Sequence, residues 1–223
     1  MRLLLFDIDG TLIESGGAGR AALAGAAAAE LGLTGLAGVA FAGRSDRAII
    51  QDVLALADVE PTPAAVDRLA AAYLARLPGT LSSHRGRILG GVVELLDALR
   101  ESPAALGLAT GNLRRGAELK LRHYGLWERF PAGGFGDHSP ERPAIVTEAI
   151  RALAAARGVE PSPARAVVIG DTPHDVTAGR AAGARVLAVA TGRHAEEDLR
   201  ESGADLVLPD LTDPAAVLDF LGA

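Results

Sequence analysis

Four consecutive apolar residues, Leu3-Leu4-Leu5-Phe6, open the chain with no polar position between them. A half-solvated strand alternates apolar and polar residues, so an unbroken run fits a strand buried on both faces, as in a parallel sheet. The pattern returns at Ala105-Leu106-Gly107-Leu108-Ala109, at Ala166-Val167-Val168-Ile169, over residues 185–190 and at Leu206-Val207-Leu208. A shorter strand is predicted near Gly134-Phe135-Gly136. Between these runs the apolar positions recur at helical spacing, over 92–99, about 113–124 and about 143–157. Five or six strands separated by helices predict an α/β fold, a doubly wound Rossmann-like parallel sheet.

Residues 15–84 break that rhythm. A Gly-rich hinge at Ser15-Gly16-Gly17-Ala18-Gly19 leads into an Ala-rich helix reaching about Leu31. Ser45 is a plausible N-cap for a second helix carrying Ile49, Ile50, Val53, Leu54 and Leu56. Pro61-Thr62-Pro63 opens a third, with Val66, Leu69, Tyr73, Leu74 and Leu77 on one face, expected to stop near Pro78-Gly79. No strand signal falls between Leu12 and Arg87, too long an interval for a simple crossover. The expected organisation is therefore a Rossmann-like α/β core of residues 1–14 and 85–223 with an inserted α-helical domain over 15–84.

Composition narrows the function classes. The 223 residues are 49% hydrophobic, enough for a sizeable core. A net charge of -6 argues against a general nucleic-acid or anionic-membrane binder, both of which need a basic face. The absence of cysteine removes thiolate nucleophiles and Cys-ligated zinc and fits a cytoplasmic location. The N-terminal run is short and closes on two acids, unlike an export signal. Lys120 is the one lysine, so arginine carries nearly all the positive charge.

The first strand ends in Asp7-Ile8-Asp9-Gly10-Thr11-Leu12, two carboxylates one residue apart. If the backbone stays extended, Asp7 and Asp9 point the same way and repel, which calls for a cation, a shared proton or different roles. Two further strands end in Thr110-Gly111-Asn112 and in Gly170-Asp171-Thr172-Pro173-His174-Asp175. In a parallel sheet those ends share one edge, so Asp7, Asp9, Thr110, Asp171 and Asp175 can meet in one crevice. Carboxylates with a hydroxyl describe a site for a hard cation, most simply Mg2+. Gly17-Ala18-Gly19-Arg20-Ala21-Ala22 formally matches a dinucleotide fingerprint, but it lies well past the first strand and no strand with a ribose-binding acid follows. A hinge fits it better.

These three motifs, in this order and each at a strand end, resemble motifs one, two and four of the haloacid dehalogenase superfamily of phosphohydrolases, and the helical insert resembles its C1 cap. The resemblance implies a phosphatase acting on a small phosphorylated metabolite, phosphoglycolate phosphatase-like, as a monomer or homodimer. It implies that Asp7 attacks phosphorus and forms an aspartyl phosphate, while Asp9 serves as general acid and then general base. Mg2+ would be held by the Asp7 carboxylate, the Asp9 main-chain carbonyl and Asp171, with Asp175 orienting a bound water. Thr110 and the amides of Gly111 and Asn112 would hold phosphoryl oxygens.

Motif three is the departure: where the superfamily usually has Lys before Pro, this chain has Arg142-Pro143. Either Arg142, with its planar fork, or Lys120 on the preceding helix is expected to supply the cation. Arg44, beside Arg47 at the start of the second inserted helix, is the expected substrate contact, ahead of Arg114 and Arg115. His174 is read as a surface or supporting residue rather than a ligand. Asp9 argues against dehalogenation, since attack on carbon expels no alkoxide. A β-phosphoglucomutase-like mutase and, from a non-enzyme class, a phosphoryl-accepting or phosphate-binding module are the rival readings.

Overall fold

A computed structural model describes residues 1–137, 139 and 141–222. Its strands are β1 (Leu3–Phe6), β2 (Ile13–Glu14), β3 (Arg87–Ile88), β4 (Ala105–Ala109), β5 (Gly133–Gly134), β6 (Ala166–Gly170), β7 (Arg185–Val189) and β8 (Leu206–Leu208). Its α-helices are α1 (Ala18–Leu31), α2 (Asp46–Leu56), α3 (Pro63–Ser83), α4 (Val92–Arg100), α5 (Arg114–His123), α6 (Arg142–Ala156), α7 (Pro173–Ala181), α8 (Glu196–Glu201) and α9 (Pro214–Leu221). Six strands form one parallel sheet in the order β5-β4-β1-β6-β7-β8. The first strand is thus central, and the chain order reverses on either side of it, the place where open α/β sheets gather their ligands.

Alternate residues of the strands pack against opposite layers, as a two-residue period requires. Leu4, Phe6, Leu108, Val167 and Ile169 join Leu95, Leu96, Leu121 and Val217 on one face. Leu3, Leu5, Val168 and Val186 join Ile150, Leu153 and Val176 on the other. Each fully buried Leu, Ile or Phe of these layers contributes roughly 1.5–3 kcal/mol relative to exposure, which is why the apolar runs remain unbroken.

Helices α1 to α3 build a third cluster, in which Leu23, Ile50, Val53, Leu69, Tyr73 and Leu77 are buried with Leu113 from the loop before α5. Ser45 caps α2 by accepting from the Ala48 amide at 3.3 Å. Two local expectations are corrected here. Helix α3 does not stop at Pro78 but carries it internally to Ser83. Proline removes a single i→i−4 hydrogen bond, while Leu77 and Leu81, 0% and 2% exposed, hold the turns on both sides of it in the core. The interval from Leu12 to Arg87 is also not free of strand: β2 and β3 pair antiparallel, Ile13 with Ile88 and Glu14 with Arg87, where the chain leaves and rejoins the sheet layer. Two-residue strands are too short to leave an alternating pattern. No helix among the described residues is long and apolar enough to cross a membrane.

Candidate active site

Register fixes the floor of the site. Phe6 pairs with Leu108 on one side and Ile169 on the other, so the residues following these strands emerge along one edge. Asp7 still donates its amide to Ile169 O at 2.9 Å, continuing the strand. Beyond it the backbone turns: Ile8 O accepts from the amides of Thr11, Leu12 and Ile13. Gly10 lies at φ +87°, and a Cβ there would overlap the Asp171 carboxylate, so both conformation and space require glycine. The extended alternation expected to point Asp7 and Asp9 the same way thus ends at Asp7, and the two acids find different partners.

Asp7, Asp171 and Asp175 form the first group. One oxygen from each lies within 4.8 Å of the others, and all three residues are buried. Asp171 accepts from Thr11 Oγ1 at 3.2 Å. Burial and then the neighbouring Asp7 charge push its carboxyl up from the usual range to about 7. Asp175 is fixed at the start of α7, where its Oδ2 accepts from the Thr172 amide at 3.1 Å and the Thr172 hydroxyl at 2.7 Å. Arg142, at the first turn of α6, donates through Nη2 to Asp175 Oδ1, and the same nitrogen lies 3.7 Å from Asp7 Oδ2. Asp7 Oδ1 is a buried oxygen without a hydrogen-bond partner among the described residues. A buried polar atom left unsatisfied is costly. This oxygen, with an all-oxygen donor set and crowded charges, fits a hard divalent cation such as Mg2+.

Asp9 stands in the second group. Its Oδ2 accepts from Lys120 Nζ at 2.6 Å and from Asn112 Nδ2 at 2.9 Å. Lys120 Nζ also donates to Asn112 Oδ1 at 2.6 Å. Burial opposes the ammonium charge, but Asp9, Tyr73 and Asp46 outweigh it and hold Lys120 well above the ordinary lysine range. The two cations considered for motif three are therefore both present, on different acids: Arg142 bridges Asp7 and Asp175, and Lys120 serves Asp9.

Thr110, Gly111 and Asn112 divide as well. Gly111 and Asn112 line a cavity of about 360 Å³ that also reaches Asp7, Asp9 and Asp171. Thr110 is 0% exposed and lies behind them, its Oγ1 accepting from Asn112 Nδ2 at 2.9 Å. A Cβ on Gly111 would come 2.7 Å from Arg44 O and 2.8 Å from Arg142 Nη1, so glycine lets the helical segment approach the floor.

That segment supplies the roof, including Leu23, Phe41, Ile49 and Tyr73. Arg44 lines the cavity, as expected of a substrate contact, but its guanidinium is engaged by Asp52 on α2. Arg47 instead donates to Asp137 O at 3.4 Å, Arg115 pairs with Glu118, and Arg114 lies over the Phe135 ring. His174 packs beneath Gly43; burial, then the charge of Arg142, lowers its pKa.

Asp46 carries no sequence signal of its own, since an acid in the first turn of a helix looks like ordinary dipole compensation. Its amide donates to Gly111 O at 2.7 Å, and its Oδ2 accepts from the Leu113 amide at 2.9 Å, tying α2 to the start of α5. Burial pushes its carboxyl up to about 6.

The family model for haloacid dehalogenase-like hydrolases matches residues 4–180. The chain is 31% identical over 229 residues to a phosphoglycolate phosphatase of Caulobacter vibrioides, covering 98% of this chain and 91% of the relative. It is 28% identical to an N-acetylmuramic acid 6-phosphate phosphatase of Pseudomonas putida, covering 98% and 96%. Among solved structures, a HAD hydrolase of Entamoeba histolytica superposes over all of both chains with a TM-score of 0.75 at 21% identity, a likeness of fold.

Proposed function

The chain belongs to the haloacid dehalogenase-like hydrolases and is a phosphoric monoester hydrolase, and we propose that it is a Mg2+-dependent phosphatase working through an aspartyl phosphate on Asp7. The observation that carries this reading is the pairing of a buried Asp7 oxygen, without a hydrogen-bond partner among the described residues, with Asp171, Asp175 and Arg142 on the floor of a cavity that Asp9 also lines. Asp7, Asp171 and Asp175 would hold Mg2+, with the Asp9 carbonyl as a further oxygen. When bound, the cation would neutralise phosphoryl charge and so allow a dianion to approach three carboxylates.

An Asp7 oxygen attacks phosphorus as the ester oxygen departs, and Asp9 gives that oxygen its proton. Asp9 then takes a proton from the water that attacks the phosphoaspartate; the phosphorus–carboxylate bond breaks and Asp7 is regenerated. Arg142 offsets the charge of Asp7 and keeps Asp175 in place. The Gly111 and Asn112 backbone faces the phosphoryl group, and the Thr110 hydroxyl acts through Asn112. These are positioning and charge-neutralising roles, which is most of what phosphoryl transfer requires.

Residues 15–84 would act as a cap over this floor, with specificity set by its lining. A cavity of about 360 Å³ is at the small end of ligand pockets, which suits a small phosphomonoester. Phosphoglycolate and N-acetylmuramic acid 6-phosphate, the substrates in its relatives' names, are both phosphomonoesters.

The test is phosphate release from phosphoglycolate, N-acetylmuramic acid 6-phosphate, other sugar phosphates and nucleoside monophosphates, with Mg2+ and with excess chelator. We expect chelator to abolish release, Asp7→Asn to lower it by at least roughly a thousandfold, and acid quench to trap a phosphoprotein only when Asp7 is present. Undiminished turnover by Asp7→Asn would remove the nucleophile assignment, and isomerisation of a sugar phosphate without net release would favour a mutase.

A further inference from the structure

A buried lysine is costly unless its charge and its three donors are answered. Lys120 is 4% exposed, and its partners are the proton-carrying acid and the asparagine of the phosphate loop, each at 2.6 Å. Asn112 closes the triangle by donating to the same Asp9 oxygen at 2.9 Å and is itself braced against Thr110 Oγ1 at 2.9 Å. Both donors therefore fall on Oδ2, while the Asp9 side chain remains 39% exposed and lines the cavity. An aspartate held through one oxygen by two donors has lost most of its rotamer freedom, which positions the other oxygen.

The placement of Lys120 is not that of a solvated surface residue. It lies on the inward stripe of α5 with Gly116, Ala117 and Leu121, whereas the outer positions hold Arg115, Glu118 and Arg122 in exposed ion pairs. A Cβ on Gly116 would stand at ordinary contact distance, 3.6 Å from Asp46 Oδ2 and 3.8 Å from the Tyr73 hydroxyl, and one on Gly19 of α1 would stand 3.7 Å from Lys120 Nζ, which shows how closely these groups gather. Tyr73 and Asp46 from the helical segment thus share one buried polar pocket with Lys120. The nucleophile already has its own cation in Arg142.

We infer that Lys120 is a positioning residue for proton transfer: with Asn112 it clamps Asp9 through Oδ2, so that Oδ1 is presented to the ester oxygen of the substrate. The inference rests on the reading of Asp9 as the proton carrier given above. Lys120 makes and breaks no bond to substrate; its effect passes through the orientation of Asp9.

The readout is leaving-group dependence. Glycerol 2-phosphate expels an alkoxide that needs a proton in the transition state, and 4-nitrophenyl phosphate expels a stable phenolate that does not. In Lys120→Met, kcat/KM for glycerol 2-phosphate should fall at least about tenfold further than kcat/KM for 4-nitrophenyl phosphate, a fraction of the hundredfold or more that a general acid supplies. A merely structural loss would lower both substrates equally. Asp9→Asn should show the same selective loss in larger measure. Equal losses on the two substrates in Lys120→Met, or none, would overturn the role of Lys120 while leaving Asp9 standing. Equal losses in Asp9→Asn would instead remove the reading of Asp9 itself. Far-UV circular dichroism checks folding; should Lys120→Met not fold, Lys120→Arg keeps the charge but displaces the single nitrogen from between the two oxygens, and is judged by the same ratio.

Discussion

Of the arginines bordering the cavity, Arg142 and Arg44 each pair with an aspartate, and the two pairs are held very differently. Arg142 and Asp175 have side chains 12% and 2% exposed, and Asp175 is fastened again by the amide and hydroxyl of Thr172. Arg44 and Asp52 are 32% and 40% exposed. Breaking a buried pair leaves an uncompensated charge and costs about 3–5 kcal/mol, whereas an exposed pair is worth at most about 1 kcal/mol. The floor pair is locked to a sheet edge and cannot be exchanged for a substrate group at reasonable cost. The roof pair can give up its aspartate to an incoming anion. The floor is therefore suited to chemistry that is the same for every substrate, and the roof to choosing among substrates.

The largest test of this division is on the floor. Asp171→Asn removes one of the three clustered carboxylates and should lower kcat by roughly a hundredfold to a thousandfold, the usual scale for one transition-state charge stabiliser. Activity should recover only partly at high Mg2+, and the order of substrate preference should not change. A reordered preference would break the division, because the floor would then be selecting substrates.

Next comes the floor arginine. Arg142→Ala should lower kcat about tenfold to a hundredfold and reduce thermal stability, since Asp175 would be left buried without its cation. Arg142→Lys should retain more activity than Arg142→Ala, because charge beside Asp7 is what the position supplies, but less than the parent, whose Nη2 serves Asp175 and faces Asp7 from one nitrogen. Steady-state kinetics with a melting curve for each variant separates the two effects.

Much of the floor was legible in the chain because its determinants are local. Buried parallel strands must be continuously apolar, and a strand's last residue is fixed by where the run ends; Phe6, Ala109 and Gly170 thus announced the edge at which Asp7, Thr110 and Asp171 emerge. What lies past the edge was less legible. The turn over Ile8 to Ile13 sends Asp7 and Asp9 to separate partners, and that depends on hydrogen bonds among non-adjacent residues. The role of Lys120 depends on how α5 packs against that turn. A sequence signal for it did exist, a lysine four residues after Gly116 on the same stripe as Ala117 and Leu121. The roof is the least legible part: helical spacing identifies α1 to α3, but not that Asp46 reaches the amide of Leu113 or that Arg44 turns to Asp52.

A smaller effect concerns cation binding and pH. Asp171 is raised from 3.8 to about 7 by burial and by Asp7, so its neutral form is the one the cation-free fold favours. The sign follows directly: that contribution to stability is present below about pH 4 and is lost as pH climbs through about 7. A divalent cation needs the ionised form and gives the lost stability back. Mg2+ should therefore raise the melting temperature little at pH 5.5 and more at pH 8, where a hundredfold excess over the dissociation constant adds about 2.7 kcal/mol. In Asp171→Asn the pH dependence of the Mg2+ effect should flatten. Arg44→Ala, on the roof, should leave it unchanged.

The smallest effect is expected from Arg44 itself. Its truncation removes a partly exposed ion pair within α2 and its approach, so stability should change by about 1 kcal/mol or less. With the floor intact, kcat should stay within about twofold, because no interaction unique to the transition state is lost. Affinity should fall for those substrates whose leaving group carries its own anion, such as the carboxylate of phosphoglycolate, and not for neutral sugar phosphates: a charge-assisted hydrogen bond is worth about 1.5–3 kcal/mol, and recapturing Arg44 from Asp52 takes back up to about 1 kcal/mol of it. The net is a rise in KM of about twofold to about a hundredfold, confined to acidic substrates. Asp52→Ala should act in the opposite sense, lowering KM for the same substrates by releasing the guanidinium in advance. If both variants shift KM alike for charged and neutral substrates, Arg44 is a structural element of α2, and selection by the roof passes to its apolar side chains.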